Sequence, residues 1–162
     1  KIAGLFEENV CSLKRLFLVN CKLTLVGAEI LFDSLKHNTH LSELDMSEND
    51  LKGSKIAKVQ ICLWTNRELR KLTLSKCSLG REAASAIGLG LYKNHTLSCL
   101  NLSGNLLPSN CMEEWATSEC RGLFTLHSLD LSDNTQMGDD SIFQVLRGLK
   151  NKITPNQDTQ MP

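Results

Sequence analysis

The apolar spacing Leu-x-x-Leu-x-Leu recurs along this chain, and the recurrence constrains the fold more than any other feature. The copies start at Leu13, Leu41, Leu69, Leu97 and Leu126, in steps of 28, 28, 28 and 29 residues, with Met46 in the last place of the second. A fixed period of this size predicts a solenoid, because a unit this short cannot bury its apolar face alone and must do so against its neighbours. In the third copy Leu72 and Leu74 alternate with Lys71, Thr73 and Ser75, which predicts a short strand with its leucines inward. Three residues past each strand stands a column of Cys21, Asn49, Cys77, Asn105 and Asn134. The chain turns there, and the turn leaves inward backbone groups in need of partners. An Asn amide can donate and accept for them, and a thiol does so weakly. The whole column, Cys21 and Cys77 included, is expected to be buried.

A second pattern follows each turn. Gly27, Leu31 and Leu35 step by four, as do Lys55, Val59 and Leu63, then Ala83, Ile87 and Leu91, and finally Ser141, Val145 and Leu149. Such steps put each set on one helical face. The fourth repeat keeps Cys111 and Trp115, with Trp115 in the core, and slips near Cys120 to absorb its extra residue. Strand plus helix, repeated, predicts an α/β solenoid with a parallel sheet inside and helices outside. Helices pack roughly 8–10 Å apart and strands about 4.8 Å apart, so the stack bends into a right-handed βα horseshoe arc with a concave strand face.

These residues resemble the ribonuclease-inhibitor-like class of leucine-rich repeats, with long repeats, a full helix and Cys or Asn at the turn. The resemblance covers roughly residues 13–152 and implies the fold directly. What it implies about function is broader: a non-catalytic scaffold that binds a protein partner on its concave face. The class also includes Ran-type GTPase activators, sensor arms of NOD-like receptors, and cytoskeletal and ciliary repeat proteins. An activator of that kind delivers an arginine from a repeat loop, and Arg81 is the one candidate here.

The frame predicts a repeat domain over residues 1–153, with a partial repeat at 1–12 where Ile2, Phe6 and Asn9 imitate a helix end. Repeats then start at 13, 41, 69, 97 and 126, and residues 154–162 form a polar tail in which Pro155 stands where a leucine is due. The chain therefore reads as a fragment of a larger protein.

Eighteen basic residues balance eighteen acidic ones, which argues against nucleic acid or an anionic membrane as partner. Seven cysteines without a secreted spacing pattern point to free thiols and a cytoplasmic location. No apolar run is long enough to span a membrane. No phosphate loop, nucleophile elbow or metal-spaced cluster is present, so neither an enzyme nor a cofactor is expected. Partner-binding candidates lie on the concave columns: Arg15, Glu43 and Lys71; Phe17, Asp45, Thr73, Asn101 and Asp130; and Glu48, Lys76 and Asp133 at the edge. On the convex side Trp64 and Tyr92 share one outward helix position and form a second candidate contact. The oligomeric state is left open.

Overall fold

The structure, a computed structural model, describes residues 12–52, 56–117 and 120–150, the side chain of Arg121 excepted. The expected half-repeat at the start, the polar tail, Lys55 and Cys11 fall outside those residues.

Strands β1 (Arg15–Phe17), β2 (Glu43–Asp45), β3 (Lys71–Thr73), β4 (Cys99–Asn101) and β5 (Ser128–Asp130) pair in chain order as one parallel sheet. Arg15 pairs with Glu43, Glu43 with Lys71, Lys71 with Cys99, and Cys99 with Ser128, so each strand repeats its predecessor one period on. Parallel neighbours need a crossover, which helices supply. These are α1 (Leu25–Leu35), α2 (Ala57–Thr65), α3 (Arg81–Leu91), α4 (Arg121–Thr125) and α5 (Asp139–Lys150), with a 3-10 turn at Glu113–Ala116 before α4. Neighbouring helices stack on one another in the same order as the strands.

Alternation decides the core. Leu44, Met46, Leu72, Leu74, Leu100 and Leu102 are at most 1% exposed. Their counterparts in the first strand, Leu16 and Leu18, and in the last, Leu129 and Leu131, are half-buried, since each has a neighbouring strand on one side only among the described residues.

Two asparagine ladders hold the backbone where it leaves strand and helix. At the strand turn, Asn105 Oδ1 accepts from Cys77 N–H at 2.9 Å and Leu79 N–H at 3.1 Å, while its Nδ2 donates to the carbonyls of Leu74 and Leu102 at 2.8 Å each. Asn49 does the same for Cys21, Leu23, Leu18 and Met46. Cys77 puts its thiol on Met46 O at 3.2 Å, the acceptor one strand back that an amide would reach. Burial pushes that thiol up to about 11.

Cys21 departs from the expectation and is exposed. It lies in the turn after the first strand of the sheet, no earlier described strand lies beneath that turn, and its thiol rests on the local carbonyl of Val19. The second ladder has no forecast role in the repeat pattern. Asn66 Nδ2 donates to Leu35 O and Asn38 O, and its Oδ1 accepts from Glu68 N–H and Leu69 N–H. Asn94 repeats this with Leu63, Thr96 and Leu97.

The helix frame differs from expectation in two places. In α5, Leu149 turns outward and Gly148 faces the core instead, because a side chain there would collide with the Trp115 carbonyl oxygen 2.2 Å from its Cβ position. In the fourth repeat the extra residue is absorbed by replacing one long helix with the 3-10 turn and the short α4, and Trp115, in the 3-10 turn, is fully buried against the preceding helix α3.

Candidate functional site

The sheet's open face is built by the outward residues of each strand. Parallel register sets them in rows, so Phe17, Asp45, Thr73, Asn101 and Asp130 form one continuous line across the five strands. A shallow groove crosses the last four strands, lined by Asp45, Lys71, Thr73, Cys99, Asn101, Ser128 and Asp130.

Several of these polar groups are engaged locally. Asp45 Oδ1 accepts from Ser47 N–H at 2.9 Å and from Ser47 O–H at 2.6 Å. Asn101 does the same for Ser103, and Asp130 for Ser132. The recurring triplet of Asp or Asn, an apolar residue, and Ser is therefore a turn-forming device in which one oxygen closes the bend out of the strand. The Ser132 hydroxyl and amide hold the Asp130 carboxyl below its usual range. The third repeat carries Thr73 in that column, and there Ser75 Oγ instead meets Ser103 Oγ at 2.9 Å.

Charges are paired along the N-terminal half of the face. Lys71 Nζ meets Glu43 Oε1 at 2.7 Å, and the carboxylate holds the ammonium above its usual range. Lys76 meets Glu48 at 3.5 Å with both side chains well exposed. Arg15 stands in register beside Glu43 at the outer end of that row. Phe17 is 55% exposed, an aromatic ring open to solvent on a polar sheet.

The edge row Asn20, Glu48, Lys76, Gly104 and Asp133 has a backbone cause. All five adopt positive φ, between 51° and 65°. That region suits Gly and Asn and strains other residues, so the turn needs this conformation whatever side chain it carries. Among the described residues no group of three His, Cys, Asp or Glu side chains could hold a metal ion.

Comparison with known proteins accords with this geometry. A family model for the Leucine Rich repeat matches residues 37–54 and 122–143. NACHT, LRR and PYD domains-containing protein 5 of Homo sapiens is 31% identical over 121 residues, covering 74% of this chain and 10% of that protein. Ribonuclease inhibitor of Sus scrofa is 32% identical over 174 residues, covering 88% of this chain and 38% of the inhibitor. The chain is a ribonuclease-inhibitor-like leucine-rich repeat protein. It spans only a minor part of the length of either relative. The solved structure of Leiomodin-1 Actin-Binding Site 2 shares the fold at 15% identity, with a TM-score of 0.67 over 93% of this chain and 89% of that one.

On the convex side of this leucine-rich repeat protein, Trp64 and Tyr92 are both half-buried. The Trp64 indole N–H donates to the Leu89 carbonyl, and Lys93 Nζ lies 5.3 Å from the centre of its ring. Trp64 thus closes the seam between α2 and α3. Arg81 is also engaged: its guanidinium donates to Asn110 O at 2.6 Å and Ser109 O at 2.7 Å, pinning the loop that follows β4. Cys99 and Ser128 also line the groove and were not among the expected contacts, although the repeat frame sets them in register with Lys71.

Proposed function

We propose that this chain is a non-catalytic interaction module that binds a protein partner across the open face of its sheet. The observation behind this reading is a division of labour among the polar residues. The buried asparagines and Cys77 are engaged by the backbone, and Arg81 by a loop. On the sheet, Phe17 and Arg15 are exposed, Thr73, Asp45 and Asp130 line the groove, and the serines take up one oxygen each of Asp45 and Asp130. An exposed aromatic beside a row of half-engaged polar groups is the composition of an interface anchor with a polar rim. Charges already paired within the sheet add little affinity and serve more to choose among partners.

Relatives of the NACHT, LRR and PYD group favour one refinement, the sensor arm of a larger receptor, in which the same face would meet its ligand. The Ran-type activator reading loses its candidate residue, because Arg81 could reach a nucleotide only by abandoning two short hydrogen bonds. A cytoplasmic location suits the free cysteines, and no described helix is long and apolar enough to cross a membrane.

The test is affinity purification of the full-length protein from its native cells, with the variant Phe17→Ala/Thr73→Arg beside it and the convex variant Ala57→Arg as control. A discrete partner set should survive Ala57→Arg and vanish with the sheet-face pair. Partners unaffected by the sheet-face pair would overturn the assignment of the face.

A further inference from the structure

Helix α5 carries an apolar stripe that is exposed among the described residues. Ile142 is 44% exposed, Phe143 67%, Leu146 57% and Leu149 39%. The opposite side of the helix, Ser141, Val145 and Gly148, is buried against the fourth repeat. At 100° per residue Leu149, Ile142 and Leu146 lie within one narrow sector, and Phe143 flanks it. Scattered surface leucines need no explanation, but four large apolar residues on one exposed helical face mark a contact surface.

The charges say which partner fits. Asp139 and Asp140 open the helix, and Arg147 and Lys150 close it. By helical angle Asp139 and Lys150 fall inside the same stripe, between Leu146 and Phe143, at opposite ends of the helix. No ion pair holds any of these four groups within the chain among the described residues. Acid first and base last is the order a helix dipole favours. The dipole gives no reason for the apolar stripe lying between them.

An antiparallel copy of the same helix satisfies both features. Laid against its twin about the helix midpoint, α5 sets Asp139 opposite Lys150 and Phe143 opposite Leu146, and each contact occurs twice. A parallel helix, the arrangement of every neighbour within the stack, would bring acid beside acid and base beside base if it carried the same sequence. We propose that two copies of this chain associate through α5, as an isologous twofold pair of antiparallel helices with a Phe143–Leu146 centre and Asp139–Lys150 ends. The pair lies on α5 and leaves the open sheet face of both copies free.

Sedimentation equilibrium of the purified chain across a hundredfold concentration range tests this, with melting temperature recorded for each variant. The wild type should pass from monomer to dimer, and Leu146→Glu should remain monomeric at every concentration while melting as the wild type does at the low concentrations where both are monomers, because that residue is exposed. Asp139→Lys and Lys150→Asp should each weaken the dimer about tenfold or more, and the double exchange should restore it, because the pair is rebuilt with its signs reversed. A wild type that stays monomeric throughout overturns the proposal and leaves the stripe to a different occupant, such as another repeat unit. A dimer that ignores both the Leu146 change and the charge exchange overturns it as well.

Discussion

The third and fourth repeats share a strand half and differ in their helix half. Leu72 and Leu100 are equally buried, β3 and β4 pair in register, and both turns lean on an asparagine ladder. Behind them, α3 runs 11 residues without a break, while the fourth repeat has a 3-10 turn of 4 residues and an α4 of 5. Trp115 occupies the column of Ile87 one period on. Its indole is too large for a helix-to-helix seam unless the neighbour recedes, and α3 recedes by offering Ala84 and Gly88 there. The indole N–H donates to the Ala84 carbonyl at 3.0 Å, and a Cβ on Gly88 would lie 2.5 Å from the ring. Glu114 adds a hydrogen bond from Ser85 O–H at 2.7 Å. The strand half is thus set by backbone hydrogen bonding that every repeat must satisfy. The outer half needs only to fill space, and one large side chain can replace a turn of helix.

The most forceful way to break this comparison is to remove the replacement. Trp115→Ala should cost about 3–5 kcal/mol, the range for a fully buried aromatic, read as a lower urea midpoint with unchanged slope. The neighbouring glycine sharpens it. Gly88→Ala should cost about 1–3 kcal/mol through overpacking against the indole. In the Trp115→Ala background the same change should be neutral or gain up to about 1 kcal/mol, because alanine is the better helix former. If the two costs simply added, Trp115 and Gly88 would not share the space assigned to them.

The ladder side gives the next largest effect. Asn105→Ala strands two N–H groups and two carbonyls, each worth about 1–3 kcal/mol when buried without a partner. Relaxation recovers part of that, and we expect a net loss of about 3 kcal/mol. Cys77→Ala removes one weak thiol donor and should cost about 1 kcal/mol. Equal losses at the two positions would mean that the asparagine is filler and that the turn holds itself.

Much of this was legible before any coordinates. Period, strand register, the inward leucines and the burial of Trp115 all follow from spacing, because a solenoid repeats its environment as faithfully as its sequence. The misses have local causes. Cys21 shares the column of Cys77 but lies in the turn after the first strand, where nothing described stacks beneath it, so position within the column could not reveal its exposure. Leu149 keeps the four-residue step of its predecessors, yet the Trp115 backbone presses so close that only Gly148 fits, and such a contact arises between repeats. The double use of Asp45, Asn101 and Asp130 was written in the Ser two places later, a signal available but unread. Part of the charge on these columns is spent within the chain, since one oxygen each of Asp45 and Asp130 closes a turn and Glu43 holds Lys71.

The edge column offers the smallest effect and the finest test of whether third and fourth repeats share one strand half. Lys76 and Gly104 are equivalent, with φ of 52° and 65°. A left-handed backbone costs a non-glycine residue about 1–2 kcal/mol. Gly104→Ala should therefore lose about 1 kcal/mol, since the nearest atom to a new Cβ is Lys76 Cγ at 2.8 Å, part of a flexible chain that can move aside. Lys76→Gly relieves the same strain, gives back about 0.5–1 kcal/mol as extra freedom of the unfolded chain, and loses a surface pair with Glu48 worth about 0–1 kcal/mol. The sum runs from about −1 to about +1.5 kcal/mol, so Lys76→Gly should change stability less unfavourably than Gly104→Ala, and thermal melts of the two variants in parallel check the order. A cost at Gly104→Ala that Lys76→Gly does not share would show that the turn conformation is a demand of the backbone, identical in both repeats whatever helix follows. A Gly104→Ala change without cost would show that the fourth repeat, having lost its long helix, has also relaxed its turn.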